Sequence, residues 1–304
     1  MIDRKPGRRG RIGAPITRPT SWWLETLRKR RESMYDDDDA PTAPVEFASD
    51  EERRACIRFF NAALRAEESG ASQAERLAAE VRGWDPDLAE CLILYGAEEG
   101  WHHSLLRKFL ADIGGEVRPL GGLTGFFYRT YAKARDLETI MLTNVMFEVI
   151  GSTTYRLALG RVKQPAVRRM LTILARDESF HVPLNVHFIR EMLRHRTRGE
   201  AQRLKLKVVY HVVFWLLLAS SAASRRVAQA FDGLPFGELS RAYAENLGRL
   251  FLHESDLQFS PPWLALRVFG FSSAALLAGE NVLSAAAAEA SARRGDVQVT
   301  ALGA

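Results

Sequence analysis

Two tetrapeptides constrain this chain more than anything else in it: Glu99-Gly-Trp-His102 and Glu178-Ser-Phe-His181. Residues three apart lie on one face of an α-helix, so each tetrapeptide can offer a carboxylate and an imidazole to one point in space. With 23 Glu and 7 His in 304 residues, chance alone would give about half a Glu-x-x-His match. Either copy by itself is therefore close to chance. The weight lies in their placement, each on the second helix of a helix pair. Apolar residues make up 47% of the chain, which is enough for a core that could enclose such groups.

Beyond residue 48 nearly everything reads as helix, and no stretch shows the two-residue alternation of a strand. Ser49 or Asp50 opens a first long helix that runs to about residue 82. Gly83-Trp84-Asp85-Pro86 is a tight connection with Pro in the next helix's first turn. The second helix runs to about 112, where Gly114-Gly115 stops it. A crossover containing Pro119-Leu120-Gly121-Gly122 follows. The third and fourth helices are expected at about 136–159 and 165–196, and further helices at about 200–230, 236–259 and 262–291. Two helices, a longer crossover and two helices predict an all-α fold. It is expected to be a ferritin-like four-helix bundle with one long crossover and a C-terminal helical extension. The expected division is a disordered basic arm, short helix (about 21–32) and acidic linker over 1–48, the bundle over 49–196, the extension over 197–293 and a flexible tail over 294–304.

A metal site in such a bundle needs one Glu from each of the other two helices. The third helix offers Glu148, a lone carboxylate in the apolar run Asn144-Val-Met-Phe-Glu-Val-Ile. Burying it without a partner would be costly, and a bound cation removes that cost. The first helix offers two neighbours. Helical angle favours Glu67. The internal repeat favours Glu68, because Leu77-Ala78 follow it as Leu157-Ala158 follow Glu148. Glu68 is preferred, with Glu67 as the alternative. The predicted metal set is thus Glu68, Glu99, His102, Glu148, Glu178 and His181, with His103 as a competitor to His102. Glu98 and Asp177 precede the two motifs, and each is expected to orient the histidine of the opposite motif. Four carboxylates and two imidazoles suit a pair of Fe ions, or Mn with Fe, better than structural zinc. Tyr95, Trp101, Phe147, Ser152, Tyr155 and Phe180 are the candidate pocket residues. His187, His211 and His253-Glu254 read as structural.

These residues resemble the ligand set of the ferritin-like di-iron superfamily. That group includes acyl-carrier-protein desaturases, ribonucleotide reductase small subunits, rubrerythrins and aryl-amine N-oxygenases. Asp177-Glu178-x-x-His181 has the form common there, and Glu68-Ser-Gly-Ala71 is similar to a rubrerythrin-type first helix. Position 174, where aryl-amine N-oxygenases carry a further His, is Leu, and there is no Cys-rich iron domain. The resemblance implies metal-binding roles at these positions and an oxygenase or oxidase with O2 as co-substrate. The oxidised molecule would be small and organic or carrier-protein-bound, the reaction a hydroxylation, N-oxygenation or desaturation. An external electron donor such as a reductase or ferredoxin, and a homodimeric state, are also expected. The alternatives are an iron-oxidising, iron-storing or peroxide-scavenging protein, and a non-enzymatic helical protein at a membrane surface.

Charge adds little to this. Ten of the Arg and Lys residues fall within 1–31, against Asp3 and Glu25, which leaves the remainder slightly acidic at 32 basic to 35 acidic residues. The basic balance therefore belongs to an arm, and no specific nucleic-acid partner is expected. Arg8-Arg9 has no apolar segment after it, so no export signal is expected. Asp36 to Asp39 read as a solvated linker. Cys56 and Cys91 have no metal-ligand spacing and suit a reducing compartment. The expected location is cytoplasmic, with peripheral membrane contact as the alternative. The apolar stretches 212–219 and 261–279 are too short or too interrupted to span a bilayer.

Overall fold

A computed structural model describes residues 17–34, 45–195, 199–223 and 236–279. Among them the fold is all-α, with no strand. The helices are α1 (Thr20–Met34), α2 (Asp50–Val81), α3 (Pro86–Asp112), α4 (Gly122–Tyr131), α5 (Leu137–Leu159), α6 (Pro165–His195), α7 (Glu200–Ala223), α8 (Phe236–His253), α9 (Trp263–Val268) and α10 (Ser273–Ala278), with a 3-10 turn at Ser255–Leu257. The expected disordered arm, the acidic linker, the tail and the far ends of two predicted C-terminal helices lie outside the described residues.

Local chemistry sets the boundaries. Ser49 Oγ accepts the Glu52 N–H at 3.1 Å, and Glu52 reaches back to accept the Ala48 N–H at 2.9 Å. This reciprocal cap satisfies two donors that the first turn of α2 leaves free. Asp85 caps α3 ahead of Pro86, and Asp136 caps α5 through the Thr139 N–H. At the end of α3 the Gly115 N–H reaches Leu110 O and the Gly114 N–H reaches Ala111 O, with Gly114 at φ +73°. That doubled closure needs a left-handed residue, which glycine supplies without strain.

The closest packing pairs α2 with α3 and α5 with α6. At the first interface a Cβ on Gly96 would stand 2.9 Å from the Ala74 Cβ, so the backbones approach there as closely as glycine allows. α7 and α8 cover α5, and α4 touches α7. Two buried apolar clusters result. The larger joins Trp23, Leu77, Leu92, Met141 and Phe188; the smaller joins Phe60, Leu64, Phe109 and Leu171. On each of α2, α3, α5 and α6 one end belongs to each cluster, with Glu67, Glu99, Glu148 and Glu178 near the changeover.

The short N-terminal helix joins the core: Trp23, Leu24 and Leu27 are buried in the larger cluster, and α1 lies against α3. Its apolar residues share one face, which is what draws it in. The helices expected at 236–259 and 262–291 are shorter than foreseen. α8 ends at His253, Pro261-Pro262 intervene, and Gly270 at φ +77° follows α9. Proline cannot continue a helical hydrogen-bond ladder, and a positive φ leaves the helical region. Among the described residues, no helix is long and apolar enough to cross a membrane.

Trp23→Ala should lower the unfolding free energy by about 3–5 kcal/mol, measured by urea titration followed by circular dichroism. A loss within about 0.5 kcal/mol, the range for surface positions, would remove α1 from the core.

Candidate metal centre

Each ligand candidate is positioned by the apolar stripe of its helix. On α2, Phe60, Ala63, Leu64, Ala74 and Ala78 are buried, and the same face carries Glu67 inward. Glu68, one residue on, is rotated by about 100°. Its side chain is 51% exposed and pairs with Arg65 at 2.5 Å. The preferred first-helix carboxylate is therefore corrected from Glu68 to Glu67. Helical phase decides which side chain enters the core, and the Leu-Ala repeat does not carry across from α5 in register.

Glu67, Glu99, His102, Glu148, Glu178 and His181 are all buried, both histidines completely. Their ligand atoms form three overlapping triads, each within 4.8 Å: Glu99, His102 and His181; Glu67, His102 and Glu178; Glu148, Glu178 and His181. His103 is in none of them. His181 Nδ1 stands 2.9 Å from Glu99 Oε1 and 3.8 Å from Glu148 Oε2, and His102 Nδ1 stands 3.5 Å from Glu67 Oε2. These approaches lack the alignment of hydrogen bonds. Glu99 Oε1, His102 Nδ1, Glu148 Oε2 and His181 Nδ1 are all buried with no hydrogen-bond partner. Each such atom costs about 1–3 kcal/mol, and four of them converge. Cations held by the overlapping triads would take up these four atoms, so the cluster could hold metal.

The outer faces of the imidazoles are held crosswise. Glu98, on α3, accepts from His181 Nε2 at 2.9 Å, and Asp177, on α6, accepts from His102 Nε2 at 3.1 Å. A carboxylate only accepts, so Nε2 of each imidazole carries a proton and Nδ1 is the nitrogen turned toward the cluster. Arg30 of α1 ties the two acids together. Its guanidinium donates to Glu98 at 2.9 and 3.1 Å and to Asp177 at 3.0 Å, over the ring of Phe180. Arg176 donates to Asp177 at 2.9 and 3.1 Å. On the other side, Tyr95 Oη donates to Glu148 at 2.5 Å and Tyr155 Oη to Glu67 at 3.3 Å. A Cβ on Gly70 would stand 2.5 Å from Glu99 Oε2, so any side chain there would displace that carboxylate from its place in the cluster.

Electrostatics fits the same reading. Six carboxylates are buried together: Glu67, Glu98, Glu99, Glu148, Asp177 and Glu178. Arg30 and Arg176 offset two charges, and two divalent cations would balance the remaining four. Without them the site retains protons. Burial, then the charges of Glu67 and Glu148, holds Glu99 well above the carboxylate range. Burial and Glu148 do the same to Glu178. Burial alone would lower both histidines. Asp177 and Glu67 instead raise His102 to about 10, and Glu99 and Glu98 push His181 well up.

The other pocket candidates separate. Tyr95, Phe147 and Tyr155 line a cavity of about 40 Å³ beside Glu67, Glu99, Glu148 and Glu178. Trp101 packs beside His102 against the smaller cluster, Phe180 lies between Arg30 and Trp23, and Ser152 is fully buried; none of the three lines that cavity. His187 meets Thr20 Oγ1 at 3.1 Å, and Glu254 pairs with Arg190. Sequence reasoning missed Arg30, Gly70 and Asn144, whose buried Nδ2 has no partner and whose Oδ1 accepts from Tyr131. One signal for Arg30 was present: positions 23, 27 and 30 share a helix face.

Glu67→Gln should abolish stoichiometric iron retention after anaerobic Fe(II) loading, and Glu68→Gln should leave it intact, as read by elemental analysis. Because cations must displace retained protons, loading at pH 7 should release about two or more protons per chain and weaken as pH falls. Calorimetry in buffers of different ionisation enthalpy measures this. No family model, curated protein or solved structure matches the chain.

Proposed function

We propose that this chain is a non-haem di-iron oxidoreductase that activates O2 to oxidise a small organic or carrier-bound substrate. It would be built on a ferritin-like four-helix bundle of α2, α3, α5 and α6, with the segment between α3 and α5 as the long crossover. The observation that carries the reading is the convergence of four orphaned, buried ligand atoms from three of these helices. Glu178 belongs to one triad with Glu67 and His102 and to another with Glu148 and His181, while Glu99 stands with both histidines. That sharing supports two ions, which Glu67, Glu99, His102, Glu148, Glu178 and His181 would hold between them. The same donors suit Mn with Fe.

The iron pair, when bound, supplies the electron-transfer chemistry that O2 reduction requires. The chain supplies the rest. Glu98 and Asp177 fix the tautomer and direction of the histidines. Tyr95 and Tyr155 hold the outer oxygens of Glu148 and Glu67. Phe147 forms a wall of the cavity, and Tyr128 of α4 stacks on it with centroids 5.3 Å apart, which limits water. Asn144 presents an amide N–H to whatever occupies that space. A reductase or ferredoxin would be the external electron donor.

One observation favours a second reading, iron oxidation or peroxide removal without an organic substrate. The cavity of about 40 Å³ has room for about two or three waters, or one molecule the size of O2 or peroxide. Under the first reading, α4 must move its aromatic residues aside to admit a substrate.

Anaerobic Fe(II) loading followed by O2 exposure tests both, with optical and Mössbauer detection. The expectation is about two Fe per chain, a coupled diferric product and O2 uptake that rises with an organic substrate panel. Protein that keeps its helical circular dichroism but retains no Fe or Mn would overturn the reading. Uptake fixed by Fe(II) alone and indifferent to every organic compound would favour the second.

A further inference from the structure

A second cavity lies away from the metal cluster. It sits between the end of α6, the first turns of α7 and the 3-10 turn after α8, and holds about 260 Å³. Its α6 residues, Arg190 to Arg194, follow His181 by nine to thirteen positions, about 13–20 Å farther along the helix.

Its lining divides by chemistry. The apolar part is Leu206, Leu257 and Phe259, all buried, with half-buried Leu193. The charged part is Arg190, Arg194, Arg203, Lys207 and Asp256. Asp256 is already neutralised: Arg190 donates to it at 2.6 and 3.1 Å and to Glu254 at 2.6 Å. Arg194 shares a surface pair with Glu191 at 2.7 Å. Arg203 and Lys207 are different. They stand one helical turn apart on α7, both line the cavity, and among the described residues neither side chain has an ion-pair or hydrogen-bond partner. Two unpaired cations beside a third repel one another and attract an anion. Arg203 in addition offers the planar fork that suits phosphate and carboxylate.

We propose that this cavity binds a small organic anion, a phosphate or carboxylate carried on a short apolar or aromatic body. The anionic group meets Arg203 and Lys207, and the body lies against Leu193, Leu206, Leu257 and Phe259. The volume is slightly below the range of about 300–1,000 Å³ usual for small-molecule sites, so a full nucleotide or a long acyl chain is too large. Inorganic phosphate satisfies the cations but leaves the apolar walls exposed to water. A neutral aromatic compound fills the walls and leaves the cations unpaired. Only a molecule with both parts uses the whole lining. The site needs nothing from the metal cluster, so its test stands or falls separately from the proposed redox function.

Isothermal titration of the full-length chain with phenyl phosphate and with hexanoate tests the proposal, with inorganic phosphate, benzyl alcohol and benzylamine as comparisons. At least one organic anion should bind with Kd of about 1 mM or tighter, and more weakly as salt rises. Whichever of the two binds better identifies the preferred head group. The double substitution Arg203→Glu with Lys207→Glu should weaken binding tenfold or more. The thermal midpoint of the unliganded protein should barely change, since both side chains are exposed and unpaired. Should that midpoint fall, the milder pair Arg203→Gln and Lys207→Gln replaces it, with the same tenfold expectation. The proposal is overturned if neither organic anion binds, if benzyl alcohol or inorganic phosphate binds as tightly, or if the charge-altered variants bind unchanged.

Discussion

The rest of this structure depends on how six carboxylates can share one buried space. An unpaired carboxylate in an apolar interior is expensive enough that it normally takes up a proton or is excluded. Here Glu67, Glu98, Glu99, Glu148, Asp177 and Glu178 are enclosed between two apolar clusters that would otherwise be continuous. Arg30 makes this tolerable on one side. The apolar face of α1 seats the helix in the core, and the same helix delivers the cation that Glu98 and Asp177 require. On the other side, Tyr95 and Tyr155 donate hydrogen bonds but no charge. The negative charge left at the centre is what a pair of divalent cations would match.

Local features of the fold were readable in the chain because they are set by local chemistry. The cap at Ser49, the Pro86 start and the Gly114 stop each act within a few residues, and the helices that carry the cluster lie within a residue or two of expectation. The pairing of Glu98 with His181 and of Asp177 with His102 was also accessible, because a ligating imidazole needs a carboxylate behind it. Glu67 was the harder case. Two arguments pointed to adjacent residues, and the one based on helical angle describes the burial seen.

What could not be read depends on contacts between distant parts of the chain. Arg30 meets acids 68 and 147 residues away, and although its helix face turns it toward the core, nothing local names those partners. The role of Gly70 follows only from the approach of Glu99 across the α2–α3 interface. The interruptions after α8 were signalled by Pro261-Pro262 and Gly270, yet the apolar composition of that stretch suggested a continuous helix. The second cavity involves α6, α7 and the turn at Ser255–Leu257, so no single segment contains its pattern.

The crosswise bonds behind the histidines also have a consequence for symmetry. Exchanging the two helix pairs maps Glu98 onto Asp177 and His181 onto His102, as expected of two similar halves. Arg30 touches both acids and has no counterpart under that exchange. It grips Glu98 through both carboxylate oxygens and Asp177 through Oδ1, while Arg176 donates to both oxygens of Asp177. Asp177 therefore shares its charge between two guanidinium groups and Glu98 does not. His102 is backed by the weaker acceptor and His181 by the stronger. Two imidazoles in like positions thus differ in the carboxylate behind them, and the difference originates in a helix that contributes none of the clustered side chains.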